Sequence, residues 1–166
     1  MQNELKKPVL MMLIGIPCSG KSTWRAEYIK QNNGYIIILS TDDYLEAATN
    51  RYGITYQQAF ELYYKDAENH IRKLSEQAIE YKSLVIWDQT NIAPKARIRK
   101  LKQFKDAGYE LMAVYFPISL ELAKERNANR FAATGKNIPE HIIENMYNTL
   151  VPPSYDEGFD NIIVVS

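Results

Sequence analysis

Short apolar runs alternate with longer stretches of helical spacing along the chain. The apolar runs are rich in β-branched or aromatic residues and bounded by polar, Gly or Pro positions: Val9 to Ile14, Tyr35 to Leu39, Leu84 to Trp87, Leu111 to Phe116 and Ile162 to Val165. Such runs are typical of strands buried on both faces of a parallel sheet. The stretches of helical spacing are Ser22 to Gln31, about Tyr56 to Tyr81, Pro94 to Ala107, Leu120 to Phe131 and Pro139 to Leu150. The alternation predicts an α/β fold with a parallel sheet of about five strands, helices on both faces, and ligands beyond the carboxyl ends of the strands.

Length and composition favour one globular domain over residues 1–166. Hydrophobic residues make up 46% and charged residues 24% of the chain, without low-complexity segments or repeats. The polar start MQNELKKP does not resemble a signal peptide, and no apolar run approaches the roughly 20 residues of a membrane span. We therefore expect a cytoplasmic protein without a membrane partner. The single cysteine, Cys18, agrees with a reducing compartment.

The charges balance, which excludes a strongly basic protein that gathers nucleic acid through its overall field. Twenty Lys and Arg residues oppose twenty Asp and Glu residues, so any nucleic-acid contact must be local. The stretch from Lys95 to Lys105 carries six cations and no acid. Its cations form either a solvated helix face or a surface that follows a phosphate backbone, with Arg97 and Lys100 as candidate substrate-binding residues.

The loop after the first predicted strand carries the most specific motif. Residues 15–22 read GIPCSGKS and fit G-x-x-x-x-G-K-[ST], with a strand before them and a helix after them. Backbone N–H groups of such a loop surround phosphate oxygens, Lys21 reaches the β- and γ-phosphates, and the Ser22 hydroxyl binds Mg²⁺. The motif predicts binding of ATP or another nucleoside triphosphate with Mg²⁺. The predicted nucleotide-binding residues of this loop are Gly15, Ile16, Pro17, Cys18, Ser19, Gly20, Lys21, Ser22 and Thr23.

Acidic residues follow the second strand. Asp42 and Asp43 stand where an acceptor is expected to approach. A carboxylate there can take the proton of an alcohol acceptor during phosphoryl transfer, and we assign that catalytic role to Asp42. Asp43 is predicted either to contact the acceptor or to cap the helix that follows, and capping also remains an alternative for Asp42.

A further acid and two polar residues follow the third strand. Asp88 is placed to hold a magnesium-bound water if the first and third strands are neighbours. Thr90 and Asn91 are predicted to orient the acceptor or Asp42. The same segment also fits an Asx turn that joins the strand to the next helix, and the two interpretations are compatible.

Two arginines lie on one face of a late helix. Arg126 and Arg130 are four residues apart, and the small residues from Ala132 to Gly135 follow them. This predicts a lid over about residues 120–139, in which both arginines contact the nucleotide and Arg130 offsets charge on the transferring group. The alternative is a solvated pair of arginines, or ion pairs with acids of the same helix.

Together these segments resemble the kinase domain of bacteriophage polynucleotide kinases, within the wider group of P-loop kinases. The resemblance covers most of the chain and rests on GIPCSGKSTW at residues 15–24, DDY at 42–44, TN at 90–91, RN at 126–127 with Arg130, and IP at 138–139 leading into MY at 146–147. It implies that Lys21 and Ser22 bind phosphate and magnesium, that Asp42 is the general base for a 5′-hydroxyl, and that Arg130 clamps the transition state. It also implies that the separate 3′-phosphatase domain of the phage enzyme is absent.

The chain departs from the phage pattern at three positions. Cys18 replaces a loop glycine, so we expect its backbone to avoid the conformations that only glycine adopts readily. Leu45 stands where the phage enzyme has an arginine that faces the acceptor, and Gln89 separates Asp88 from the Thr-Asn pair. Acceptor recognition is therefore expected to differ, or another basic residue must supply the contact.

Three functions follow from these patterns. The first is transfer of the γ-phosphoryl group of ATP to the 5′-hydroxyl of a polynucleotide, DNA or RNA. The second is a kinase for a small hydroxyl substrate such as a nucleoside, a sugar or an antibiotic. The third, a non-catalytic nucleotide-dependent switch, is disfavoured because Asp42 and Arg130 are both present. The sequence leaves the oligomeric state open.

Overall fold

The computed structural model describes residues 5–166 as an α/β fold built on one parallel sheet. Its five strands lie in the order β2-β3-β1-β4-β5, and every pairing is parallel. Their bounds are β1 Val9–Ile14, β2 Ile36–Leu39, β3 Leu84–Asp88, β4 Glu110–Tyr115 and β5 Asn161–Val164. The predicted sheet is confirmed, with each strand end within one residue of its expected position.

Six α-helices connect the strands within the described residues. They are α1 Lys21–Gln31, α2 Thr41–Tyr52, α3 Tyr56–Tyr81, α4 Pro94–Asp106, α5 Leu120–Thr134 and α6 Glu140–Thr149. A short 3₁₀ helix, Tyr155–Glu157, precedes β5. No helix in residues 5–166 has both the length and the apolar character needed to cross a membrane.

The central strand β1 is buried on both faces, as its unbroken apolar pattern predicts. Leu10 and Met12 point into a cluster completed by residues of α3 and α4, whereas Met11 and Leu13 point into a second cluster that includes Trp24 of α1. Helices thus cover both faces of the sheet. Each fully buried aliphatic side chain of this kind contributes about 1.5–3 kcal/mol through removal from water, which makes the sheet a rigid platform for the loops at its edge.

Parallel pairing gathers the loops after β1, β2 and β3 at one edge of the sheet. β1 lies beside β3, with Leu13 paired to Asp88, as the magnesium prediction requires. The Gly15 N–H donates to the Thr90 carbonyl at 3.0 Å, which joins the loop after β1 to the loop after β3. The glycine-rich loop therefore begins directly beside the acidic end of β3.

Helix α2 begins at Thr41, before the acid pair. Its N-cap is the buried Ser40, whose Oγ accepts from the Asp43 N–H at 3.1 Å. The capping alternative for Asp42 and Asp43 is therefore wrong, because both lie inside the first turn. Their carboxylates still interact favourably with the positive end of the helix dipole, and they remain free to make other contacts.

Arg97 is a core residue, and the prediction that it binds substrate is wrong. Its side chain has no exposed surface, and its Nε and Nη2 donate to the two carboxylate oxygens of Glu157 at 2.6 and 3.0 Å. Its Nη1 donates to the carbonyl oxygens of Asn91, Ile92 and Val151 at 2.8–3.1 Å. A buried charge needs such full pairing, so Arg97 joins α4 to the segment before β5.

Asn91 and Lys100 also face inward, contrary to their predicted contacts with an acceptor. The buried Asn91 amide donates to the Leu13 carbonyl at 2.8 Å, and its Oδ1 accepts from the Lys100 Nζ at 2.8 Å. The Lys100 ammonium also donates to Gln89 Oε1 at 2.7 Å and lies 5.4 Å from the centre of the Trp87 ring. Both side chains stabilise the end of β3. The outward cations of α4 are Lys95, Arg99, Lys102 and Lys105.

Replacing Arg97 tests its structural role. Arg97→Ala should lower the free energy of unfolding by about 3–5 kcal/mol, because Glu157 and three carbonyl groups lose their buried partner. The matched control is Lys102→Ala, which removes an exposed pair with Asp106 and should change stability by no more than about 0.5 kcal/mol. Urea unfolding of both variants makes the comparison. Equal stability of the two would show that Arg97 is not a structural residue.

Candidate active site

The loop between β1 and α1 has the geometry of a phosphate cradle. Gly20 has φ 105° at the start of α1, and no side chain caps this helix end, so the first N–H groups of α1 are available to an anion. A Cβ on Gly15 would lie 2.5 Å from Ser19 Oγ and 3.1 Å from Phe116 Cβ, so a side chain there would displace its neighbours in the loop. Lys21 begins the helix, and its Nζ donates to the Gly15 and Ile16 carbonyls at 2.8 and 3.0 Å.

Two buried polar atoms fit the predicted triphosphate. In residues 5–166 the buried side-chain nitrogens and oxygens without a hydrogen-bond partner are Ser19 Oγ and Arg130 Nε. A buried polar group without a partner costs about 1–3 kcal/mol. One atom belongs to the cradle and the other to the predicted lid, and phosphate oxygens between them would satisfy both. The residues present therefore suit a bound nucleoside triphosphate.

Cys18 adopts the backbone conformation that it was expected to avoid. Its φ is 66°, in the left-handed region that favours glycine. The reason is the shape of the loop, which must turn its N–H groups toward the phosphates even though a side chain is present. The Cys18 carbonyl accepts from Arg126 Nη1 at 3.2 Å. This contact brings the first lid arginine to the cradle.

The charged groups of the cradle act on one another. Burial lowers the pKa of Lys21 to about 8, while the nearby negative charges of Asp88 and Asp42 act in the opposite direction and Arg130 lowers it further. Burial raises the pKa of Asp88, partly offset by Arg25 and Lys21. Lys21 thus lies within electrostatic range of both predicted acids and of the second lid arginine.

Arg25 is a site residue that the sequence did not reveal. Its Nη1 lies 2.9 Å from Asp88 Oδ2 and 3.1 Å from Asp43 Oδ2, and its Nη2 donates to Asp43 Oδ1 at 3.2 Å. One guanidinium therefore holds an acid from β3 and an acid from α2. The available signal was its position one helical turn after Lys21, on the same side of α1 as the cradle.

Asp42 is exposed beside two further residues without a predicted role. Its side chain is 60% exposed, and it accepts a hydrogen bond from the Tyr56 phenol at the start of α3. Lys136 Nζ lies 4.0 Å from Asp42 Oδ2 and 2.6 Å from Glu46 Oε1. Asp42 is therefore oriented by a neighbour and remains open to an acceptor.

Asn127 joins the predicted lid segments. Its buried amide donates to the Ile138 carbonyl at 2.8 Å, and its Oδ1 accepts from the Ile138 N–H and from Arg130 Nη2 at 3.3 Å. These bonds link α5 to the segment before α6 and hold the Arg130 guanidinium near the cradle. Lys136 reaches from the same segment to α2. The lid over residues 120–139 remains a prediction that these contacts support.

The structure gathers most, but not all, of the predicted site. Residues 15–23, Asp42, Asp43, Asp88, Arg126 and Arg130 lie at the carboxyl edge of the sheet. Thr90 contributes its carbonyl to Gly15, and no hydrogen bond is recorded for its hydroxyl among the described residues. Ser22 is exposed at the start of α1, where its predicted contact with Mg²⁺ is sterically open.

Residues 10–153 of the chain match the family AAA_33, described as an AAA domain. The chain is also 29% identical over 155 residues to an L-seryl-tRNA(Sec) kinase of Methanococcus maripaludis. That alignment covers 92% of this chain and 56% of the relative. The chain thus spans little more than half the length of this curated relative.

Solved structures share the fold. A structure of the Pnkp1/Rnl/Hen1 RNA repair complex superimposes with a TM-score of 0.63 at 24% identity, over 90% of this chain and 46% of that chain. A gluconokinase from Sinorhizobium meliloti superimposes with a TM-score of 0.55 at 18% identity, over 96% and 83% of the two chains. These likenesses confirm the P-loop kinase-like fold that the sequence predicted.

A pair of substitutions at Cys18 tests the strain in the cradle. Cys18→Val should be less stable than Cys18→Gly by about 1–2 kcal/mol, because a β-branched residue tolerates a positive φ poorly and glycine tolerates it well. Thermal and urea unfolding give the difference. Nucleotide binding, followed with a fluorescent ADP analogue, should be retained in the glycine variant and weakened in the valine variant. Equal stability and equal binding would show that the left-handed conformation is not required.

Proposed function

We propose, from the premise that this chain belongs to the AAA_33 family of AAA domains, that it is a kinase acting with magnesium and ATP on the hydroxyl of a small acceptor. The observation that carries the proposal is the meeting of the cradle, Lys21 and Asp42 at one edge of the sheet. A phosphate site with a cation and an exposed carboxylate beside it has the parts that phosphoryl transfer to an alcohol needs.

Each group has a chemical task in this proposal. Asp42 accepts the proton of the acceptor hydroxyl. The oxygen of that hydroxyl bonds to the γ-phosphorus as the bond from the γ-phosphorus to the β-phosphate oxygen breaks, and the nucleoside diphosphate is released. Lys21 and Arg130 offset the charge on the phosphate oxygens. Mg²⁺, when bound through Ser22 and a water held by Asp88, would neutralise further phosphate charge. Arg25 lowers the pKa of Asp88 and so offsets part of the rise that burial causes.

Two observations favour a small acceptor over a polynucleotide. Leu45, at the position of the phage acceptor arginine, is 1% exposed in the contact between α2 and α3 and offers no contact. Arg97 and Lys100, the cations chosen for a phosphate backbone, both face inward. The printed names of the Methanococcus and Sinorhizobium proteins, a seryl-tRNA kinase and a gluconokinase, also support a hydroxyl-directed kinase.

Phosphorylation of a polynucleotide 5′-hydroxyl is the second candidate. It is supported by the fold likeness to the RNA repair complex and by the outward cations of α4. A screen with γ-labelled ATP and Mg²⁺ separates the two candidates. It should include nucleosides, sugars, antibiotics, a seryl-tRNA and a 5′-hydroxyl oligonucleotide at low salt. Transfer confined to the oligonucleotide would overturn the small-acceptor proposal, and binding without any transfer would favour a switch.

Lys21 is the first residue to vary. Lys21→Ala should lower the rate of transfer by about a hundredfold or more, because a preorganised cation at the transferring group is lost. The control is Lys30→Ala, an exposed lysine in the last turn of the same helix, which should leave the rate unchanged. Circular dichroism checks that both variants are folded. A Lys21 variant within tenfold of wild type would contradict the proposed role.

Asp42→Asn separates proton transfer from nucleotide binding. Turnover should fall by about 10²–10⁴-fold, whereas the dissociation constant of ATP should not change, since the carboxylate acts on the acceptor. Glu46→Gln is the matched control, because Glu46 shares Lys136 with Asp42 but makes no proposed contact with the acceptor. Rapid-quench turnover and calorimetric titration supply the two readouts. Loss of ATP affinity in the asparagine variant would make Asp42 part of the metal site instead.

A further inference from the structure

Helix α3 is longer than the sheet that it covers. Its 26 residues span about 39 Å, whereas strands of four to six residues span about 13–20 Å. The helix ends at Tyr81, just before β3 begins at Leu84. Its C-terminal half therefore lies against the sheet, and its N-terminal half extends past the carboxyl edge, where the candidate active site lies.

One face of α3 changes from buried to open along this length. Ile71 and Ala78 are buried against the sheet, 8% and 0% exposed. By helical spacing Tyr56, Phe60 and Tyr64 continue the same face toward the N-terminus. Phe60 is 43% and Tyr64 36% exposed. Tyr56 is half-buried against the contact between α2 and α3, so the uncovered part of this face consists of the Phe60 and Tyr64 rings.

This aromatic face of α3 begins beside Asp42 of α2. The Tyr56 phenol donates to that carboxylate. Burial raises the pKa of Tyr64, and the charges of Glu68 and Asp42 add to the rise, which places Tyr64 within electrostatic range of the same acid. The Phe60 and Tyr64 rings lie 4.7 Å apart between centroids, with 34° between their planes. The Phe60 and Tyr64 rings therefore form one open surface, and Tyr56, on the same face of α3, lies between that surface and the proposed base.

We propose that Phe60 and Tyr64 form a stacking surface for the planar base of the acceptor, whose hydroxyl reaches Asp42 beside Tyr56. The acceptor is then a free nucleoside, which specifies the small acceptor of the proposed function. Aromatic side chains stack on any nucleobase because every base has a π-face. Lys136, 4.8 Å from the centre of the Tyr56 ring, adds a cation at the junction of base and hydroxyl. The proposal rests on the proposed function in assigning the acceptor to Asp42.

A sugar without a planar ring leaves this surface uncovered. It could offer its hydroxyl to Asp42, but it would not remove Phe60 and Tyr64 from water. A nucleoside does both, because its ribose hydroxyl and its base lie at opposite ends of the molecule. The adenine of the phosphate donor is a less suitable occupant, because Asp42 lies on the acceptor side of the transferred phosphate in the proposed reaction.

The test compares Phe60→Ala with Leu62→Ala. Leu62 is 66% exposed on the opposite side of α3, so it matches Phe60 in loss of exposed apolar area without touching the surface. Phe60→Ala should raise KM for a nucleoside by about 5- to 100-fold, the effect of losing one stacked base contact. KM for ATP should stay constant, and Leu62→Ala should match wild type in both constants. Tyr64→Ala should repeat the Phe60 result.

Direct binding keeps the test independent of turnover. Nucleoside affinity is measured by ligand-observed NMR with Mg²⁺ and ADP present, so the surface is tested even if no acceptor is phosphorylated and the proposed function fails. An oligonucleotide with a 5′-hydroxyl nucleoside is titrated in parallel, and binding of the oligonucleotide without binding of the nucleoside would overturn the assignment to a free nucleoside. Base-dependent binding that Phe60→Ala weakens would support the proposal.

Three results would overturn the proposal. One is equal behaviour of Phe60→Ala and Leu62→Ala toward nucleosides in both assays. Another is a rise in KM for ATP rather than for the acceptor, which would assign the surface to the donor. The last is efficient phosphorylation of sugars alone, unchanged by Phe60→Ala.

Discussion

The parallel pairing of β1 with β3 is the interaction on which the rest of the site depends. Because Leu13 is in register with Asp88, the glycine-rich loop leaves the sheet beside the acid that ends β3. The hydrogen bond from the Gly15 N–H to the Thr90 carbonyl then holds the two loops together. A shift of one residue in this register would move Asp88 to the other face of the sheet. The cradle would lose the neighbouring carboxylate that offsets the charge of Lys21.

Burial at this edge of the sheet makes the charges interdependent. Asp88 is 11% exposed, so its ionised form requires a cation close by. Arg25 supplies that charge and also binds Asp43, which links β3, α1 and α2 through a single guanidinium. Burial lowers the pKa of Lys21 to about 8, and nearby negative charges favour its charged form. A triphosphate would bring negative charge beside Lys21 and a hydrogen-bond acceptor to the unpartnered Arg130 Nε.

The proposed donor and acceptor regions belong to different parts of the fold. The cradle lies at the edge of the sheet, and Arg126 of α5 contacts it through the Cys18 carbonyl. The proposed acceptor side lies at the α2 and α3 hairpin, where Leu45 is buried, Tyr56 is half-buried, and Phe60 and Tyr64 are open. Members of one fold can therefore keep the phosphate chemistry and change the acceptor through this hairpin.

The sequence by itself determined the strands, the cradle and the extent of α3, because each depends on local periodicity or on a continuous motif. The bounds of β1 and α3 match their predictions at both ends. Tertiary structure alone decided which polar residues serve the site. Arg97 faces inward because Glu157, 60 residues away, pairs with it, and Arg25 joins the site because Asp88, 63 residues away, accepts from it. The sequence does not distinguish buried cations of a helix from exposed ones, because their partners belong to distant elements that only the folded chain brings near. For the same reason Tyr56 acquired its place beside Asp42 only when α2 and α3 packed together.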